Sequence, residues 1–176
     1  MVEEMKISDD EKPYDLPQGW EWVRLGDVGE DFKYGYTDSA KENGDCKFLR
    51  ITDIQDNQVN WDTVPYCDIN LDKMQNYLLK KDDIVVARTG ATTGKSFIID
   101  KDELAVFASY LIRLRFICVL SKYTWYFMNA NIYWNQITEV SSGIAQPGVN
   151  ATKLSELLFP LPPLPEQQEI VARIEA

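Results

Sequence analysis

The stretch Asp83-Ile84-Val85-Val86-Ala87-Arg88-Thr89-Gly90-Ala91-Thr92-Thr93-Gly94-Lys95-Ser96 decides how the rest of the chain is read. Four apolar residues, two of them valine, predict a buried strand. Two glycines then open a turn that carries Arg, Lys, Ser and three Thr. No acid falls between Ile84 and Ile99, in a chain whose net charge is −10. Phe97-Ile98-Ile99 predicts a second strand, the chain turns at Asp100-Lys101-Asp102, and it returns through Ala105 to Phe116. A cationic tip between two strands is a rigid platform for a recognition loop. On local grounds alone, an ordinary hairpin tip accounts for the same glycines and threonines.

A nucleotide-binding loop is disfavoured by both spacing and context. That motif needs glycine, four residues, then Gly-Lys-Ser/Thr, so that backbone N–H groups wrap the phosphates. Counting back from Gly94-Lys95-Ser96 places Thr89 where the first glycine is required. The segment that follows also reads as a strand, not as the helix whose N-terminus would hold phosphate.

A chain of 176 residues suits one domain with a sizeable core. At 45% hydrophobic and 12% aromatic it is globular. No apolar run approaches the length that crosses a bilayer, and the acidic start Met1-Val2-Glu3-Glu4-Met5 lacks a signal-peptide pattern. Cys46, Cys67 and Cys118 are widely spaced and odd in number, which predicts free thiols in a reducing cytoplasm. There is no histidine, so a Ser-His or Cys-His pair cannot be built and a zinc site is disfavoured. Carboxylate chemistry is the one hydrolytic class left open, and the acids are scattered.

The acidity argues against a nucleic-acid partner, but its distribution softens that argument. Residues 1–31 hold ten of the 28 acids and three of the 18 bases, which is −7 of the −10. The other 145 residues are nearly neutral, leaving room for a locally basic face.

Residues 1–15 read as a flexible acidic terminus. Trp20, Trp22, Leu25 and Val28 are expected to bury and dock the start of the chain. Phe32-Lys33-Tyr34-Gly35-Tyr36-Thr37-Asp38-Ser39-Ala40-Lys41 reads as a polar loop able to stack on bases or bond their edges. Lys47 to Ile54 predicts one strand, Asp56-Asn57-Gln58 a turn, and Leu71 to Leu79 a short helix capped by Asn70. In the strand Ser109 to Phe116, Arg113 and Arg115 share a face expected to be exposed and cationic. Ser121 is expected to cap one helix from Lys122 to about Glu139, with Tyr123, Tyr126, Phe127, Ala130 and Trp134 inward. Ser141 to Asn150 forms a second Gly-rich polar loop, within an acid-free run bounded by Glu139 and Glu156. The Pro-rich piece Pro160 to Pro165 predicts a stiff linker into a helix, with Pro165 at its first residue and Ile170 and Ile174 at i, i+4. Only the start of that helix is present.

Together these pieces resemble the specificity subunit of type I restriction-modification enzymes. The matching features are Leu16-Pro17-x-Gly19-Trp20 with Leu25-Gly26, Phe48-Leu49-Arg50-Ile51-x-Asp53-Ile54, and Asp83-Ile84-Val85 running into Arg88-x-Gly90-x-x-x-Gly94. Most specific is Pro160-Leu161-Pro162-Pro163-Leu164-Pro165-Glu166-Gln167-Gln168-x-Ile170. In that family a full subunit has two target-recognition domains separated by two long antiparallel helices, and each domain reads half of a split DNA sequence. Methyltransferase (M) subunits modify adenine with S-adenosylmethionine, and a restriction (R) subunit joins them.

The resemblance implies sequence-specific recognition of double-stranded DNA by a non-catalytic component, with no cofactor of its own. S-adenosylmethionine, ATP and Mg would sit on partner subunits. It implies a target-recognition domain over residues 16–160, and a linker with the start of a spacer helix over 161–176. The expected architecture is α+β: a curved, largely antiparallel sheet with a few helices and long recognition loops. The recognition loops fall at residues 33–41, 88–96 and 141–150. The DNA-binding candidates are Lys33, Tyr36, Thr37, Arg88, Thr92, Thr93, Lys95, Ser142 and Gln146. Arg or Lys can pair with guanine or phosphate, and Gln with adenine. Arg88, closing a strand, is alternatively a buried structural arginine. Ile170 and Ile174 are the candidates for contact with M subunits, a second copy or a second half-subunit. The alternative reading is a half-subunit that acts mainly through protein–protein contact and binds DNA weakly.

Overall fold

A computed structural model describes residues 7–142 and 147–176. A 3₁₀ turn at Asp9–Glu11 comes first. Its Glu11 carboxyl is held down to about 2 by the Ser8 backbone N–H and by Arg24. Strands β1 (Glu21–Arg24), β2 (Gly29–Tyr34), β3 (Cys46–Leu49), β4 (Ile54–Gln55), β5 (Gln58–Val59) and β6 (Tyr66–Cys67) follow. Helix α1 (Leu71–Tyr77) starts where Asn70 Oδ1 accepts the Lys73 N–H at 2.9 Å. Next come β7 (Ile84–Ala87), β8 (Ser96–Ile98), β9 (Ala105–Phe107) and β10 (Leu111–Phe116). The chain ends with α2 (Ser121–Phe127), α3 (Asn131–Ser141), α4 (Ala151–Ser155), β11 (Leu158–Leu161) and α5 (Leu164–Ile174).

The expected α+β class and its largely antiparallel pairing hold, but the strands divide into four sheets where one was expected. The largest has the order β2-β10-β7-β8, all antiparallel. A second has the order β6-β3-β9, with β3 and β9 parallel. The remaining pairs are β1 with β11 and the β4–β5 hairpin, where Asp56 and Asn57 take positive φ as the predicted turn requires. The large sheet is covered on both faces, which is why β7 is an unbroken apolar run. Ile84, Val86, Ile112 and Leu114 face Phe127, Tyr133 and Phe159, while Val85 and Leu111 face Leu49, Trp61 and Phe107.

Four expectations fail here, each for a local reason. The strand predicted over Lys47 to Ile54 ends at Leu49, because Asp53 takes the Arg50 N–H at 2.8 Å and its guanidinium at 3.0 and 2.8 Å, closing a 3₁₀ turn. The strand predicted from Ser109 starts only at Leu111, because Ser109 and Tyr110 form a turn between β9 and β10, which lie in different sheets. Arg113 and Arg115 do not form a cationic face. Arg113 is buried and ion-paired with Asp31, and Arg115 clasps Asp83 with two 2.7 Å bonds. The long helix is two helices. On one straight helix Phe127 and Tyr133 would point about 120° apart. The break at Met128 to Ala130 lets both rings enter the core, with centroids 5.9 Å apart. Ser121 is not a cap; Leu120 precedes α2, and its N–H is satisfied from elsewhere.

That satisfaction comes from Gln167, which is 1% exposed. Its Oε1 accepts the Leu120 N–H at 2.9 Å and its Nε2 donates to the Pro162 carbonyl at 2.9 Å. Beside it the Trp20 indole donates to Glu166 at 2.7 Å, and Pro165 stands in the first turn, one residue later than predicted. Thus α5 is fastened to the start of α2 and to the turn before β1. Gln167→Leu strands two buried polar groups and is expected to cost about 2 kcal/mol. Hydrogen exchange in α5 should accelerate about 30-fold, and exchange unchanged from wild type would show that the clasp contributes nothing.

Cys46 and Cys67 face each other across β3 and β6 as free, buried thiols, and Cys118 is exposed. Burial, and then the neighbouring Cys46, pushes the Cys67 thiol up to about 12. Among the described residues, no helix is long and apolar enough to cross a membrane.

Candidate nucleic-acid interface

The β7–β8 connection is built by its glycines. Gly94 N–H donates to the Ala87 carbonyl at 2.8 Å, and Ala87 N–H donates to the Lys95 carbonyl at 2.8 Å. Between them Gly90–Thr92 makes one 3₁₀ turn. Gly90 and Gly94 sit at φ +75° and +87°, the left-handed region that glycine enters freely. A Cβ on Gly94 would stand 2.8 Å from Ile137 Cγ2. The Tyr133 hydroxyl donates to the Gly94 carbonyl at 2.7 Å, so α3 holds the underside of the tip.

The second loop joins this tip directly. Val149 N–H donates to the Arg88 carbonyl at 2.9 Å, and Gly90 N–H donates to the Pro147 carbonyl at 3.3 Å. Thr89 and Gly148 form an antiparallel bridge. The Thr93 hydroxyl lies 2.7 Å from the Gly90 carbonyl and 3.2 Å from that of Pro147. Asn150 then caps α4 through the Lys153 N–H at 2.8 Å. Two segments far apart in sequence, both free of acids, therefore form one surface.

Arg88 stands at their junction. Its guanidinium lies 4.7 Å from the centre of the Tyr34 ring, and its Nη1 is 3.4 Å from the Ser109 carbonyl. Its Nε is buried with no hydrogen-bond partner among the described residues. Arg88 is half-buried and makes no ion pair among those residues. Lys95 is exposed and likewise unpaired. Ten of the other described lysines and arginines are each ion-paired with an acid, whereas Arg88 and Lys95 are not.

The remaining predicted residues divide. Thr92 is half-buried in the tip, and its carbonyl accepts the Lys95 N–H. Lys33 and Tyr36 have their partners elsewhere: both meet the Tyr77 ring, at 5.3 and 5.4 Å, and Tyr36 bridges to Ala108. Thr37 is exposed beyond them. Further along, Lys41 is ion-paired with Asp68, and Asp38 accepts the Asp68 N–H at 3.1 Å. The backbone N–H of Ser39 holds the Asp38 carboxyl below the usual range. That end of the loop is acidic and internally satisfied, a poor place for phosphate. The Ser142 hydroxyl donates to the Glu139 carbonyl at 2.7 Å at the end of α3. Gln146 lies outside the described residues.

Sequence reasoning missed Tyr34 and Tyr110 as members of the tip. The Tyr110 carbonyl accepts the Arg88 N–H at 3.1 Å, and its side chain is 63% exposed. Strand alternation was the available signal for Tyr34: Lys33 and Tyr34 must face opposite sides of the sheet. On α5, Ile170 packs against the domain's own core, while Ile174 is exposed. Among the described residues, no three His, Cys, Asp or Glu side chains are placed to hold a metal ion.

Residues 17–176 match the family described as type I restriction modification DNA specificity domain. The chain is 30% identical over 184 residues to the EcoAI specificity subunit of Escherichia coli, covering 96% of this chain and 30% of that protein. It is 27% identical over 174 residues to the MjaVIII specificity subunit of Methanocaldococcus jannaschii, covering 92% and 40%. Among solved structures, the HsdS subunit from Thermoanaerobacter tengcongensis superposes with a TM-score of 0.67 at 20% identity, over 94% of this chain and 44% of that one. A chain solved in work on assembly of the type I R-M system superposes with a TM-score of 0.73 at 23% identity, over 93% and 39%. The chain thus spans 30 to 40% of the length of these curated relatives.

Proposed function

Because the chain belongs to the type I restriction modification DNA specificity domain family, we propose that it is one target-recognition domain that reads a short sequence in double-stranded DNA. In this reading it directs adenine methylation and restriction by M and R subunits, which carry S-adenosylmethionine, ATP and Mg, in the cytoplasm. The observation that carries it is the junction of two acid-free loops around Arg88. A half-stacked, unpaired guanidinium beside flexible Lys95 offers one fixed donor fork for a guanine edge and one mobile charge for phosphate. Thr92 and Thr93 belong to the same tip, and Ser142 and Gln146 are the candidates from the second loop. Lys33, Tyr36 and Thr37 would form a separate contact on the Tyr77 side. Ile174, with Leu164 exposed on the same short helix, would serve partner subunits.

The direct test is methylation by a complex of this chain with an M subunit on a DNA library. A recurrent half-site at modified adenines is the expected result. A complex that assembles but modifies no recurrent sequence would favour the interaction-module alternative. Arg88→Ala should lower specific affinity by about 1–3 kcal/mol and relax preference at one base pair. Lys95→Ala should weaken binding evenly across sequences and reduce the salt slope by about 1. Specific binding left untouched by both variants would move the site elsewhere.

A further inference from the structure

Tyr34 links Arg88 of the tip to the start of α4, where the second loop ends. It ends β2, and its ring supports the Arg88 guanidinium at 4.7 Å. Its hydroxyl oxygen accepts the Ala151 N–H at 3.0 Å, at the first residue after the second loop. Pro147 and Val149 of that loop are in turn bonded to Gly90 and Arg88. The ring is 39% exposed, so it is a rim residue and not part of the core. A free arginine samples many rotamers, and a ligand must freeze them. Here the guanidinium lies over the Tyr34 ring, and Nη1 leans on the Ser109 carbonyl. Nε is turned inward.

Resting on the DNA-recognition reading above, we propose that Tyr34 is a positioning residue. It sets the plane of Arg88 and registers it against the second loop, so that the two loops meet one base pair as a single surface. The ring does the first task and the hydroxyl the second, which makes the two separable. Tyr34→Phe keeps the ring and loses only the Ala151 bond. Tyr34→Leu loses both and leaves the guanidinium without a floor.

Two measurements test this on the full chain. In ¹⁵N NMR of the free protein, the Arg88 Nε–H signal should carry a ring-current displacement in wild type and Tyr34→Phe, and lose it in Tyr34→Leu. An Arg88 signal unchanged in Tyr34→Leu overturns the positioning role whether or not DNA is bound. In the methylation assay with an M subunit, the probes are the recurrent half-site and its single-transversion variants. Tyr34→Leu should lower discrimination at the Arg88-dependent base pair about tenfold. Tyr34→Phe should stay within about threefold of wild type. Methylation of all probes falling in parallel would mean a merely structural role and sink the proposal. A wild-type complex without any recurrent site instead fails the DNA-recognition reading itself, and the two failures are thereby told apart.

Discussion

Asp83→Ala should lower the unfolding free energy by about 3 kcal/mol, or about 6–12 °C in Tm for a domain of this size. The carboxylate is 2% exposed at the foot of β7. It accepts two bonds from Arg115 at 2.7 Å and the Lys80 N–H at 2.8 Å. Removing one partner of a fully buried pair costs about 3–5 kcal/mol, because the other charge is left stranded. Arg115 keeps about a quarter of its side chain in water, at 23% exposure, which places the expected loss at the lower end. Urea unfolding should show a reduced midpoint at an unchanged slope. The double variant Asp83→Val with Arg115→Met should recover most of the loss, since neither charge is then buried. A single variant within about 0.5 kcal/mol of wild type would mean that water enters the pair and screens it.

Gly94→Val is the second large effect, and it strikes the candidate interface from below. At φ +87° a β-branched residue is strained by about 1–2 kcal/mol. Its Cβ would also stand 2.8 Å from Ile137 Cγ2 and 3.1 Å from Trp134 Cζ3. Both belong to α3, whose Tyr133 hydroxyl is fixed to the Gly94 carbonyl. With crowding of about 1–3 kcal/mol added, the total reaches about 3 kcal/mol. Gly90→Ala is the control: φ is +75°, but nothing lies within 4 Å of its Cβ. It should cost about 1 kcal/mol. Equal losses in the two variants, read by thermal unfolding, would show that α3 yields and that Gly94 is required for its φ alone.

These two sites also show what the sequence can and cannot reveal. The strand Ile84–Ala87, the Asn70 cap and the Asp56-Asn57 turn are legible because their determinants lie within a few residues. The i, i+3 acid that stops β3 at Arg50 was equally local and was overlooked. By contrast, the fate of Arg113 and Arg115 depends on strand order. Only once β10 lies between β2 and β7 do Asp31 and Asp83 come within reach. The break in the long helix has the same origin: two rings on different sides of one helix both had a core to enter. Within the candidate site, Arg88, Thr93 and the second loop were found by composition, since loops without acids stand out in an acidic chain. Their mutual bonds were not visible, and neither was the division of loop 33–41 between the two faces of the sheet.

The pairing of β1 with β11 has a mechanical consequence. Glu21 lies opposite Leu161, and Arg24 opposite Leu158, so the outward ends of both strands emerge side by side. Tension applied through the two ends would open this ladder like a zipper, one bond at a time, and not shear it all at once. Before that, the load must lift α5 from its Gln167 clasp and from the Lys122–Glu175 and Tyr126–Glu175 contacts. The four-stranded sheet and its tip lie behind both of these yielding steps. A pull on the flanking chain is therefore absorbed by a compliant hinge, and the geometry around Arg88 is strained last.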